Sequence, residues 1–252
     1  MRYFLYFSYC GTSYHGWQRQ PNGISVQQVM EEAMSLLMSE KTSLTAAGRT
    51  DAGVHAKLMV AHFDTARPVP DISQLISRLN NYLPKDIAVQ RIVPVADDAH
   101  ARFDALSRTY EYHCTFCKDP FRQGLATRIP ANLDFALMNE AAQVLLRASD
   151  FASFCKLHTD VKTTICHVTH AEWTLTAEGA VFTITADRFL RNMVRAVVGT
   201  LFEVGRHRLT VSQFEEVISR QHRTAAGQSV PADGLFLTNI VYPEHIFNKI
   251  ST

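Results

Sequence analysis

The chain is short of several things that would mark it for a particular trade. Among 252 residues there are only five cysteines, at 10, 114, 117, 155 and 166. An odd number argues against a disulfide framework and for a reducing compartment. No run approaches the roughly 18 apolar residues of a membrane span. The opening MRYFLYFSYC is too short an apolar run for a secretory leader and no cleavage pattern follows it, so a cytoplasmic location is expected. There is no G-x-x-x-x-G-K-[ST] phosphate loop and no G-x-G-x-x-G dinucleotide loop. An enzyme built on this chain is expected to use neither nucleotide cofactor nor metal.

Metal sites are equally poorly supplied. Cys114 and Cys117 form a C-x-x-C, but TYEYHCTFC alternates like a strand. Side chains three apart on a strand point to opposite faces, so the two sulfurs diverge. His158, Cys166, His167 and His170 invite a cluster, yet 166, 167 and 170 do not share one strand face.

Net charge is only +1, which excludes a uniformly basic coat. The charge is nevertheless uneven. Arg188 to Arg223 holds seven arginines against Glu203, Glu215 and Glu216, a local +4, leaving −3 for the rest. A near-neutral chain can present a phosphate-binding surface in this way.

What is present is regular. Arg2–Tyr9 reads as a buried strand. A helix follows from Ser25, which has capping-box spacing to Gln28; Val26, Val29, Met30, Ala33 and Leu37 form its stripe. Thr42–Ala47 and Leu58–Asp64 read as strands joined by AGRTDAGVHA. Asp71 caps a helix that Pro84 ends, and Ile87–Val95 is a strand. The second half repeats the order: strand Thr109–Cys117, helix Asp134–Leu146, a hairpin of Ile165–Leu175 and Ala180–Ala186 around Glu178-Gly179, helices Phe189–Val204 and Thr210–Arg220, and strand Gly234–Val241. The fold class expected is α+β, with two ferredoxin-like (split βαβ) halves of antiparallel sheet related by a pseudo-two-fold. The halves are 1–104 and 105–252, with a seam near 97–106 and a ligand cleft between them.

Three features bear on chemistry. In AAGRTDAGVHAK, Asp51 sits between Gly48 and Gly53, which permit sharp turns and close approach of a ligand. Arg49 nearby favours an ionised Asp51, a nucleophile or base; the plainer reading is a turn with a surface salt bridge. Arg188, Arg191 and Arg195 at i, i+3 and i+7 share one helical face. Arg195 borders the apolar stripe, so its guanidinium wants a carboxylate, such as Asp51, or a phosphate. Tyr110 and Tyr112 share a strand face, one offering a stacking plane and the other core packing.

GRTDAGVHA (48–56) resembles the signature loop of the tRNA pseudouridine synthase A family. YHGWQRQ (14–20), HARFDA (100–105), RTYEY (108–112), DFASF (150–154), FLRNMVRAVVGTL (189–201) and AGQSVPADGLFLTNIVYP (226–243) are similar to family blocks in the same order. The resemblance implies isomerisation of uridine to pseudouridine in the anticodon arm of tRNA, at positions 38, 39 and 40. It implies no cofactor and a homodimer. It makes Asp51 catalytic, with Arg195 as its partner and Arg49 acting at the site. It implies that Tyr110 and Leu235 contact the substrate, and Arg188, Arg191, Arg206 and Arg208 are expected to clamp the RNA backbone. The same resemblance leaves room for a sister synthase that acts on another RNA or on other tRNA uridines. One stretch departs. Where many relatives carry Gln and then Arg after DFASF, this chain has CKLHTDVKTTICH, with Lys162 near the expected arginine. Lysine lacks the bidentate fork.

Overall fold

A computed structural model describes residues 1–156 and 162–247. Its elements are mixed α and β, with mostly antiparallel strand pairing and five α-helices. No helix among the described residues is long and apolar enough to cross a membrane. The chain divides into two compact units, one of Met1–Leu106 with Leu237 onward, the other of Ser107–Phe236.

In the first unit, β1 (Arg2–Tyr9) lies between β3 (His55–Asp64) and β4 (Ile87–Val95), antiparallel to both. Its side chains are buried on both faces, as its unbroken apolar run requires. The short β2 (Thr45–Ala46) pairs with β3, Thr45 opposite His62, so the strand expected over Thr42–Ala47 is mostly irregular. Helix α1 (Val26–Met38) is capped by Ser25, which accepts from Gln28 N. The Gln28 side chain is directed along the helix, its Nε2 donating to Glu32 Oε1 at 3.0 Å. Asp71 caps α2 (Ile72–Tyr82) through Gln74 N at 2.8 Å.

The second unit orders β5 (Ser107–Thr115), β8 (Gly179–Ala186) and β7 (Val168–Leu175) side by side and antiparallel, with β6 (Thr127–Arg128) parallel to β5. Gly179 turns the hairpin where a Cβ would stand 2.0 Å from the Cys114 carbonyl oxygen, so no larger residue fits. Helices α3 (Phe135–Val144), α4 (Met193–Gly205) and α5 (Val211–Ser219) complete it. Thr210 and Gln213 form a full capping box on α5. Trp173 packs on Phe182 and Phe202 at 5.1 and 5.6 Å between centroids. The closing strand β9 (Leu235–Val241) carries the chain back into the first unit. There Leu106 N donates to Val241 O at 2.8 Å, and the Tyr242 hydroxyl donates to Ala101 O.

One helix begins later than its apolar pattern suggests. Asn192 takes a left-handed conformation (φ 67°) and α4 starts at Met193. Arg188 and Arg191 therefore lie on the preceding loop, and the three-arginine helical face expected from i, i+3, i+7 spacing does not exist. Periodicity continues through the loop, but the backbone does not.

His62 gives the first unit a pH dependence. It is buried, its Nδ1 accepts from Ala101 N at 3.1 Å, and its ring meets His100 edge-on at 4.6 Å. Burial, and then the charges of Arg2 and His100, hold its pKa down to about 4 from 6.5. The folded state thus resists protonation, so this stability is present above about pH 6.5 and lost as pH falls toward 4, up to about 3 kcal/mol. In urea titrations, His62→Asn, which keeps an acceptor but cannot titrate, should lose less stability than the native chain between about pH 7 and pH 4.5. Equal losses in the two proteins would contradict this.

Candidate functional site

The Asp51 loop is held from behind by the segment that leaves β1. Thr50 is buried, with its Oγ1 2.8 Å from the Tyr9 hydroxyl. Thr50 O accepts from Trp17 N at 3.2 Å, and Gly53 N donates to Tyr14 O at 3.3 Å. Farther on, Gly11 N donates to His55 Nδ1 at 3.0 Å. Val54 N closes a turn onto Asp51 O at 3.1 Å, with Gly53 at φ 80° in its third position, the geometry of a type II turn. Tyr14 is itself fixed, its hydroxyl donating to Asp86 at 2.7 Å. Burial and the Asp86 carboxylate raise the Tyr14 pKa, keeping it a donor.

Two glycines make this clamp possible. A Cβ on Gly16 would stand 2.5 Å from Thr50 O, and one on Gly11 only 2.0 Å from Val54 O. Gly16 also has φ +86°. Of the two glycines that flank Asp51 in the sequence, Gly53 alone uses a left-handed backbone. Gly48 needs no special conformation, and nothing lies within 4 Å of where its Cβ would be. It leaves open space at the loop surface. Arg49 is exposed and Asp51 half-buried, on either side of the anchored Thr50.

The second unit gathers most of the other candidates around the 187–195 loop. Tyr110, on β5 opposite Ile184, is 9% exposed and meets the Phe189 ring edge-on at 5.0 Å. Arg188 follows Asp187, whose carboxylate accepts from Arg188 N and His167 N at 2.7 and 2.8 Å. Arg191 is exposed, and its carbonyl accepts from Lys156 N. Arg195 is half-buried in the first turn of α4. Its Nε donates to Val230 O at 2.7 Å, and Val230 N returns a bond to Arg195 O at 3.1 Å. A backbone carbonyl as guanidinium acceptor has no signal in sequence spacing. The 226–230 segment can lie against α4 because Gly199 has no side chain, its Cβ position being 1.8 Å from Gln228 O. Thr200 Oγ1 also accepts from Gly227 N at 2.9 Å. Leu235 is buried, its N–H donating to Ala232 O. Tyr112 is core, its hydroxyl shared between Thr127 Oγ1 at 2.6 Å and Pro231 O at 3.1 Å.

Arg206 and Arg208 do not join this group. They sit past the C-terminal end of α4, bound to Glu203 at 2.7 and 3.3 Å. The helix separates them from Arg195 by about 16 Å, at 1.5 Å per residue. Cys114 is buried on β5, whereas Cys117 is exposed and lies past the end of that strand, which stops at Thr115 rather than at Cys117. Of the stretch 155–167, residues 157–161, with His158, lie outside the described residues. Among the described residues no group of His, Cys, Asp and Glu is placed to hold a metal ion.

A sequence model of the family described as tRNA pseudouridine synthase matches residues 6–104 and 141–243. The chain is 57% identical over 246 residues to a tRNA pseudouridine synthase A of Parabacteroides distasonis, covering 98% of each chain. It is 53% identical to one of Porphyromonas gingivalis, covering 98% of this chain and 99% of that one. It is 38% identical to one of Pseudoalteromonas atlantica, covering 97% and 93%.

Gly16 and Gly48 should separate in denaturation experiments. Gly16→Ala meets both a backbone penalty and a clash, and should destabilise the protein by about 1–3 kcal/mol. Gly48→Ala should leave stability unchanged or raise it by up to about 1 kcal/mol. Comparable destabilisation by both would refute the clamp as described.

Proposed function

The chain belongs to the tRNA pseudouridine synthase family, and on that footing we propose that it isomerises uridine to pseudouridine in the anticodon arm of tRNA, at positions 38, 39 and 40. The N1–C1′ bond breaks, the base turns, and a C5–C1′ bond forms, while C5 gives up its proton and N1 ends protonated. Every atom is kept and no electron changes hands, so the reaction asks for no cofactor.

The observation that carries this reading is the anchored loop. A uridine must leave its stack before a carboxylate can reach it. The carboxylate must then be where the flipped base arrives, since a misplacement of about 1 Å is costly. Asp51 is half-buried on a turn tied down on both flanks. It serves as nucleophile or base. Tyr110, whose ring meets Phe189 edge-on, contacts the flipped uracil, with Leu235 beside it. Arg195 pairs with the aspartate, Arg49 holds the flipped nucleotide, and Arg188 and Arg191 take phosphates. Arg206 and Arg208, engaged with Glu203, are left out of this clamp.

We place these roles on two ferredoxin-like halves, 1–104 with the aspartate loop and 105–252 with the tyrosine and the arginines. In support, the first unit contains β4-β1-β3 side by side with the short β2 paired to β3, and the second contains β5-β8-β7. A cytoplasmic homodimer completes the proposal.

Asp51→Asn should abolish pseudouridine formation while tRNA affinity stays within a few-fold, since the amide keeps the shape and loses the charge. Nucleoside analysis of tRNA treated with wild type and variant reads this directly, and pseudouridine persisting in the variant would sink the assignment. Mapping the modified positions in the same samples tests the choice of uridines. Arg188→Ala should weaken binding and reduce the slope of log affinity against log salt by about 0.7–0.9. An unaltered slope means that Arg188 touches no phosphate.

A further inference from the structure

The fold has a use for ten of the eleven glycines, and Gly48 is the exception. At eight of the ten a Cβ would stand 3.1 Å or less from another atom, and Gly53 and Gly124 take a positive φ. Gly48 does neither. Its backbone is in the ordinary region, and no atom lies within 4 Å of the place its Cβ would occupy. A small side chain would fit the fold there. Glycine at such a position lowers stability, through the freedom it gives the unfolded chain. What glycine offers in return is close approach of a ligand to the main chain.

The surroundings point the same way. Gly48 lines a cavity of ≈ 180 Å³. Trp17, Leu44 and Arg102 form part of its wall, and Gln18, Thr45 and Arg49 bring an amide, a hydroxyl and a guanidinium. Among the described residues none hydrogen-bonds to the side chains of Gln18, Thr45 or Arg49. A concave site lined by polar groups with no partner in the fold suits a polar ligand. The loop is fixed just beyond it, where Thr50 is tied to Tyr9 and Trp17. Gly48 stands three residues before Asp51, at most about 11 Å of chain, so a strand that delivers a uridine to Asp51 passes this position.

We infer that Gly48 is a contact point for the RNA, where the sugar–phosphate backbone of the strand carrying the target uridine lies directly on the protein main chain. The inference rests on the tRNA reading above and deepens it. The missing side chain lets the strand lie close against the loop, with Gln18, Thr45 and Arg49 at hand for its sugar and phosphate oxygens. Such a contact holds the strand in register and reads no base. It is made alike before and during the reaction, so its loss appears in KM rather than in kcat.

The test uses the full chain, an unmodified anticodon-arm transcript, and the variants Gly48→Ala and Gly48→Val. A methyl group forced into a close contact costs affinity by a factor of about ten. Gly48→Ala should raise KM by that factor and leave kcat within about twofold, with a melting temperature no lower than that of wild type. Gly48→Val should raise KM further. An unchanged KM for Gly48→Ala overturns the inference. So does a loss confined to kcat, which would mean that the substitution disturbs Asp51. A lowered melting temperature overturns it too, since Gly48 would then serve the fold. In these three cases wild type still forms pseudouridine and the tRNA reading stands. If wild type forms pseudouridine in no tRNA, both fall.

Discussion

The candidate site of the first unit depends on the close approach of two backbones. The chain leaving β1 runs directly behind the turn that carries Asp51, and it can do so only because Gly11 and Gly16 have no side chains. The gap they leave is spanned by the Tyr9–Thr50 hydroxyl contact, the Trp17–Thr50 and Tyr14–Gly53 backbone bonds, and the Gly11–His55 bond. Thr50 is pinned inside, while its neighbours Arg49 and Asp51 are exposed and half-buried, respectively. A loop is ordinarily the mobile part of a fold. This one is tied to Tyr9 at the end of β1 and to the segment that follows it.

The second unit solves a similar problem by similar means. Gly199 and Thr200 let the 226–230 segment lie on α4, and the reciprocal bonds of Arg195 and Val230 join the two. The guanidinium is then oriented by main chain rather than by side-chain packing alone. In both units backbone groups of neighbouring segments help to hold the stretch that carries the group proposed to act.

The loop at 187–192 shows where a linear pattern misleads. Its residues continue the apolar periodicity of α4, and its arginines fall on that helical phase. Asn192 nevertheless takes φ 67° and starts the helix one turn later. Arg188 and Arg191 become loop residues, beside the Phe189 ring that meets Tyr110. At the other end of α4, Glu203 draws in Arg206 and Arg208. A charge count over 188–223 cannot distinguish these two groups, since the helix that separates them enters only as length.

Much of the fold was legible because the forces behind it are local. β4 falls on its expected residues, Ile87–Val95. The caps at Ser25, Asp71 and Thr210 form where a short polar side chain precedes an apolar stripe. The Glu178-Gly179 turn falls where it was expected. The sequence alone also determined that Asp51 stands in a glycine-flanked turn and that Tyr110 and Tyr112 share a face. Only the tertiary structure decided which glycines the fold needs, and it chose Gly11 and Gly16 over Gly48. It alone decided that Arg195 is held by a carbonyl 35 residues away, and that Arg102 joins Arg49 at one cavity. The reason is physical. Propensity, capping and alternation act over a few residues and leave a trace in their order, whereas a steric gap or a hydrogen bond between distant segments exists only once both have been brought together.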